Sequence, residues 1–264
     1  MRRKLSKENF KFEHLFLFVI TIKLQFYKSF INKGILKVFS TVVVEKLVRV
    51  MDTFELKKEQ LKLAAKIVVR DGFSTVKTIG AVICQPFGTK LMAIAVVCTF
   101  PSSELIEKKT FLLENPLPYK PGYEAYREMP AMIEAYNQLE QEPDLLLVYG
   151  TGVLHPRGLG IASHLGLALN KATMGIISTL LFGKVEKGKI IVDGEVKGFE
   201  ITTRQHANPI YVSPGHLVSV GTVLHIIPQL IQYPHKLPEP LHLAQKMVKK
   251  NVKNLRSNDT REIE

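Results

Sequence analysis

The stretch LLLVYGTGVLHPRGLGIASHLG, Leu145 to Gly166, constrains the fold more than any other part of the chain. Leu145–Val148 is an unbroken apolar run. A strand with one wet face alternates, so this run reads as a strand buried on both faces. It stops at Tyr149-Gly150-Thr151-Gly152, and the helix-like run GIASHLGLALN and a second strand, ATMGIIS, follow. Strand, helix, strand in that order makes a right-handed crossover between parallel strands. In such folds, ligands and catalytic groups gather at the carboxyl ends of the strands. The loop after Val148 has the flanking glycines of a site, yet no carboxylate, thiol or imidazole stands directly beside them.

The preceding region has a different rhythm. DTFELKKEQLKLAAKIVV is helical in pattern, with Asp52 or Thr53 able to cap it and Glu55 in its first turn. Asp71-Gly72 marks a turn. VKTIGAVIC and KLMAIAVVCTF read as strands joined through QPFGT, and ELIEKKTFLL alternates as a half-exposed edge strand would. NPLPYKPG, with Pro116, Pro118 and Pro121, is a stiff loop. YEAYREMPAMIEAYNQLEQ is a helix leading into Leu145. Beyond the crossover, KGKIIVDGEVKGFEITT reads as a hairpin turning at Asp193-Gly194. PIYVSPGHLVS is a strand and loop, and EPLHLAQKMVKKNVKNL is a last helix with lysines where the macrodipole favours them. The order predicts one α/β domain: a mixed sheet with helices on both faces.

At 46% hydrophobic, the 264 residues can bury a sizeable core. The net charge of +12 is uneven: residues 1–50 hold 11 Lys+Arg against 3 Asp+Glu, leaving 25 against 21 for the remainder. The body is therefore only mildly basic, and charge alone argues weakly for a polyanionic partner. Cys84 and Cys98 lie in apolar runs without metal-ligand spacing and read as small buried hydrophobes. The apolar run Leu15–Ile22 is too short to span a bilayer, which takes roughly 20 residues, and no cleavage site follows it. The expectation is a domain over 51–264 that starts at Met51, with 1–50 a basic extension. The alternative is a basic arm touching nucleic acid or a membrane surface.

Five segments, in order, resemble endonuclease V: LPYKPGYEAYREMPAMIEA, PDLLLVYGTGVLHPRGLGIASHLG, TMGI, YVSPGHLVS and LPEPLHLA. The resemblance covers roughly residues 57–251. It implies a ribonuclease H-like fold and Mg²⁺-dependent cutting of a phosphodiester near deaminated bases, chiefly inosine. It also implies a prolyl-tyrosyl wedge that enters the duplex while the damaged base is flipped into a pocket. The chemistry agrees: divalent metal supplies the nucleophilic water and stabilises the leaving oxygen, and Mg²⁺ takes hard oxygen ligands. Pro118-Tyr119-Lys120-Pro121 matches the wedge, with Gly122 closing the loop. Gly150, Gly152 and His155 fall in the implied nucleic-acid surface, although His155 reads more readily as a structural histidine bonded to backbone.

The pattern then breaks. Where the resemblance implies a carboxylate on the first strand, the matching segment Gly80-Ala81-Val82 puts Val82. Where it implies Asp-Gly-His-Gly, the chain has Tyr149-Gly150-Thr151-Gly152, and Ser178 stands in place of a lysine. Glu128, in the Arg127-Glu128 pair, is the retained metal-ligand candidate, and with His216 it makes the retained catalytic candidates. All are expected in one cleft. The expected function is recognition of inosine-containing DNA or RNA in nucleic-acid repair, with weak or lost cleavage, by a cytoplasmic monomer that contacts no membrane. Two alternatives stand beside it: an active Mg²⁺-dependent endonuclease with an altered ligand set, and a non-catalytic protein-interaction module on the same fold.

Overall fold

Strands β1 (Thr78–Phe87) and β2 (Lys90–Thr99) pair antiparallel from Thr78–Thr99 to Phe87–Lys90. Gly88, at φ 55°, takes the left-handed conformation that the tight turn between them needs. Strand β3 (Leu105–Leu113) adds to β2 and ends the sheet; its alternating burial is that of an edge strand. The computed structural model describes residues 53–204 and 206–259. The expectations for the first fifty residues lie outside these.

Helix α1 (Thr53–Ala64) precedes β1, and α2 (Glu124–Asn137) follows β3. Strand β4 (Leu145–Tyr149) lies parallel to β1, with Val82 paired to Val148. Helix α3 (Ile161–Leu169) then crosses to β5 (Thr173–Ile177), which is parallel to β4. Strands β6 (Lys184–Glu186), β7 (Lys189–Val192), β8 (Glu195–Ile201) and β9 (Ile210–His216) form an antiparallel array, and β9 pairs back onto β5. The sheet order is β3-β2-β1-β4-β5-β9-β8-β7-β6. Helices α4 (Val220–Gln229) and α5 (Glu239–Asp259) complete the described chain.

Both sheet faces are covered, as the sequence predicts. Helices α2 and α3 pack on one face, and α5 on the other, with α4 against β8 and β9. Along β1, Ile79, Ala81 and Ile83 join the cluster under α4 and α5, together with Leu145, Leu147, Met174 and Ile176. Val82 and Val148 are fully buried but stand outside that cluster, on the face of α2 and α3. A buried leucine here contributes several kcal/mol, since Leu→Ala in a core costs about 2–5 kcal/mol.

Three elements differ from the sequence reading, the short strand β6 among them. Helix α1 stops at Ala64 rather than running to Val69. Residues 68–72 turn away to bond elsewhere: Val68 N–H donates to His216 Nδ1, Leu217 N–H to Val68 O, and Gly72 N–H to Leu217 O. Helix α4 was not expected. Its start is nonetheless legible: Ser219 caps it by accepting from Thr222 N–H.

Candidate functional site: a braced loop beside an altered strand edge

Helix α2 runs antiparallel to β4, so its first turns lie near the carboxyl ends of β1 and β4. Glu128 sits in these turns and is close enough for its charge to raise the Cys84 thiol of β1, a lesser cause than burial. Burial pushes the Glu128 carboxyl up to about 7; the Glu124 charge adds to this, and Arg127 pulls it down. A carboxyl in that range is part-protonated at neutral pH.

The loop Pro118–Gly122 leads into α2. Glu124, in the first turn, accepts from Gly122 N–H at 2.8 Å and from the Tyr119 hydroxyl at 3.3 Å. Arg127 donates to Leu117 O. Pro118 and Tyr119 are exposed, Tyr119 by 63%, so the ring projects into solvent while its hydroxyl is held. Gln60 Nε2 and Arg157 both donate to Gly122 O, and Arg157 also donates to Gln60 Oε1. The Arg157 guanidinium lies 4.5 Å from the centre of the Tyr123 ring, and the Lys120 ammonium lies 5.5 Å from it. One step further back, the Tyr126 hydroxyl donates to Glu59 of α1 at 3.0 Å, and the Tyr126 ring meets His164 of α3 edge-on at 5.5 Å. Helices α1 and α3 thus hold the loop from behind. Glu124, Gln60 and Arg157 are the contributors that the motifs alone did not single out. Glu124, one turn before Glu128, was the available signal.

The glycine loop after β4 is a packed junction. A Cβ on Gly150 would come within 2.0 Å of Ile161 Cγ2, and one on Gly152 within 2.0 Å of Pro214 O. Gly150 N–H donates to Ile176 O, and Gly152 O accepts from Gly160 N–H. These glycines are required by close approach inside the protein, and both of those backbone groups are already bonded. His155 is buried, its Nδ1 accepting from Arg157 N–H at 3.2 Å, in a turn that presents Arg157 to the loop Pro118–Gly122.

The strand register bears on two of the expected positions. Val82 pairs with Val148 and faces α2 and α3, away from Tyr149. One residue further along both strands, Ile83 and Tyr149 share the opposite face, so Ile83 is the residue level with Tyr149. The Tyr149 hydroxyl lies 3.2 Å from Ser178 Oγ, just past the end of β5. His216 pairs with Thr173, the first residue of β5, while Tyr211 pairs with Ile177, the last. The antiparallel direction of β9 therefore carries His216 to the amino end of the central strands. Thr173 and Ile177 are four rises apart, about 13 Å. His216 does not share the edge of Glu128; buried, and accepting from Val68 N–H, it anchors the chain after α1. Glu128 and Tyr149 do share a sheet edge, but they reach it from opposite faces.

A model of the family Endonuclease V matches residues 61–246. The chain belongs to the Endonuclease V family. It is 35% identical to Endonuclease V of Dictyoglomus turgidum over 198 residues, spanning 72% of this chain and 86% of that protein. It is 36% identical to that of Rippkaea orientalis over 214 residues, spanning 76% and 93%. The solved Endonuclease V of Bacillus subtilis superposes with a TM-score of 0.68 at 28% identity, covering 81% of this chain and 96% of that one. Endonuclease V of Ciona intestinalis, solved with a 24mer DNA containing an inosine followed by a ribo-adenosine, gives 0.70 at 25% identity, covering 77% and 98%. The fold is thus the ribonuclease H-like one that the motifs implied. No described helix is long and apolar enough to cross a membrane.

The residues at this edge do not fit the Mg²⁺ that the family reading calls for. Mg²⁺ takes near-octahedral oxygen ligands and usually one or two carboxylates from the protein. Ile83 offers no ligand, and the Tyr149 and Ser178 hydroxyls face each other. Among the described residues, no group of three metal-ligating side chains includes Glu128.

Proposed function

We propose that this chain recognises nucleic acid containing deaminated bases, inosine foremost, and that its phosphodiester cleavage is lost or very weak. One observation carries the reading. An exposed tyrosine stands on a loop held by Glu124, Arg127, Gln60 and Arg157, beside strand ends where Val82, Tyr149 and Ser178 occupy the positions that the resemblance assigns to metal ligands and a lysine. An aromatic fixed in this way can stack on an unpaired base or wedge a duplex open, and Lys120 supplies a charge for phosphate. Without a placed metal, water keeps its bulk pKa of about 15.7, and little hydroxide forms at pH 7.

A second reading has its own observation. Glu124 and Glu128 lie one helical turn apart and interact, so an altered Mg²⁺ site would draw on this pair. Glu124 is already committed to Gly122 N–H and Tyr119, which weighs against it. The test is a gel assay on strands with a single inosine, protein in excess, with Mg²⁺ or Mn²⁺, run beside a binding titration. Inosine-selective binding without cleavage supports the first reading. Robust cleavage abolished by EDTA and by Glu124→Gln establishes the second. Equal, weak binding to inosine and control strands removes both.

A further inference from the structure

The far end of the sheet carries a cluster that the wedge and strand edge do not use. His235, Glu239 and His242 each turn one potential ligand atom toward the others, and all three atoms lie within 4.8 Å of one another. His235 Nδ1 is 2.6 Å from Glu239 Oε2, and the two imidazole rings stack at 3.5 Å, with 11° between their planes. Glu239 and His242 lie in and next to the first turn of α5, three residues apart, so they share a helical face. Cys98, whose thiol feels the Glu239 charge, pairs with Ile79 near the start of β1. The cluster therefore lies at the amino end of β1, opposite Glu128.

The backbone around the cluster is held in place. His235 N–H donates to Gln232 O, Gln232 Nε2 to Ser102 O, Arg204 to Pro234 O, and Glu239 N–H to Leu230 O. Glu239 is only 7% exposed, so its carboxylate is costly to leave unpaired.

We propose that His235, Glu239 and His242 form a binding site for a borderline divalent transition-metal ion, Zn²⁺ in the first instance, with water as the fourth ligand. Two imidazoles and one carboxylate are a recurrent zinc set, whereas Mg²⁺ prefers oxygen alone. Zinc bonds of about 2.0–2.2 Å in a tetrahedron put ligand atoms roughly 3.3 Å apart. The in-plane lone pairs of stacked rings cannot meet at one ion, so binding would turn the two imidazoles out of their stack. The bound ion would clip the 232–238 segment onto α5. It has no part in the recognition proposed above.

The test is calorimetric titration of the full chain with Zn²⁺ in excess Mg²⁺, together with the visible spectrum of the Co²⁺ form. One Zn²⁺ per chain and tetrahedral Co²⁺ bands are expected. His235→Ala and His242→Ala should each weaken Zn²⁺ binding at least about tenfold, while Glu195→Gln, in the exposed hairpin, leaves it unchanged. His242→Gln, which keeps a polar side chain of similar size, guards against loss of fold and should weaken binding likewise. No Zn²⁺ uptake by the unaltered chain, or uptake indifferent to the histidine variants, overturns the proposal.

Discussion

The loop Pro118–Gly122 and the strand ends carrying Ile83, Tyr149 and Ser178 flank the same edge of the sheet, yet their polar groups are used differently. In the loop, backbone groups are engaged by side chains from α1, from α2 and from the segment before α3. At the strand ends, two hydroxyls face each other and an isoleucine packs into the core. The loop needs only shape, one exposed ring and a nearby ammonium to meet a base. A metal floor needs several ionised oxygens held close together. Such oxygens repel one another until the ion arrives, and apolar packing removes that cost along with the chemistry. On the function proposed above, recognition and catalysis part company within a single site.

The strongest way to break the comparison is to rebuild the floor. Val82→Asp with Tyr149→Asp should produce Mg²⁺-dependent cutting of an inosine strand, at least about tenfold above the unaltered chain, because a placed ion lowers the pKa of its bound water toward neutrality. Ile83→Asp with Tyr149→Asp should not, because Ile83 packs under α4 and α5, on the face away from Glu128. Cleavage by the second pair but not the first would show the β1 register to be misjudged. Adding Ser178→Lys should increase the rate of the productive pair.

Arg157 tests the loop half. Arg157→Ala removes the bonds to Gly122 O and Gln60 and the contact with Tyr123. Hydrogen bonds from a charged group contribute about 1.5–3 kcal/mol each, so urea denaturation should show a loss of at least this order and inosine affinity should fall with it. Affinity that is unchanged despite the lost stability would mean the brace is structural alone. Tyr119→Ala should weaken inosine binding by about 1–3 kcal/mol, the worth of stacking one base. Its melting temperature should stay put, since the ring is largely in solvent.

The smallest effect sharpens the view of Glu128. Its folded-state carboxyl lies at about 7, above the ordinary 4.5. Between those values the folded state keeps a proton that the unfolded state has released, so stability falls as pH rises through that window, and the deficit is complete above about 7. Glu128→Gln removes the dependence. It should gain on the order of 1 kcal/mol at about pH 8, discounted for the solvent that reaches this group, and nothing near pH 4. A flat difference between the two proteins across this range would show that Glu128 is better solvated than its position implies.

The sequence by itself determined the strand and helix order apart from β6 and α4, the edge character of β3, the hairpin at Asp193-Gly194 and the stiff proline loop before α2. Each rests on local signals: apolar period, turn residues, and prolines that restrict their own neighbours. It also determined that no carboxylate stands at these strand ends, because Tyr149, Ser178 and every residue of Ile79–Cys84 lack one. Only the tertiary structure decided which β1 residue lies beside Tyr149. A strand buried on both faces shows no alternation, so Val82 and Ile83 look alike in sequence while pointing to opposite sides. It also decided the place of His216, since the direction of β9 against β5 is a matter of pairing between distant segments. The early end of α1 was settled the same way. Residues 65–69 continue a helical pattern, but Val68 finds its partners in His216 and Leu217, some 150 residues away in the chain, and tertiary hydrogen bonds override a weak local preference.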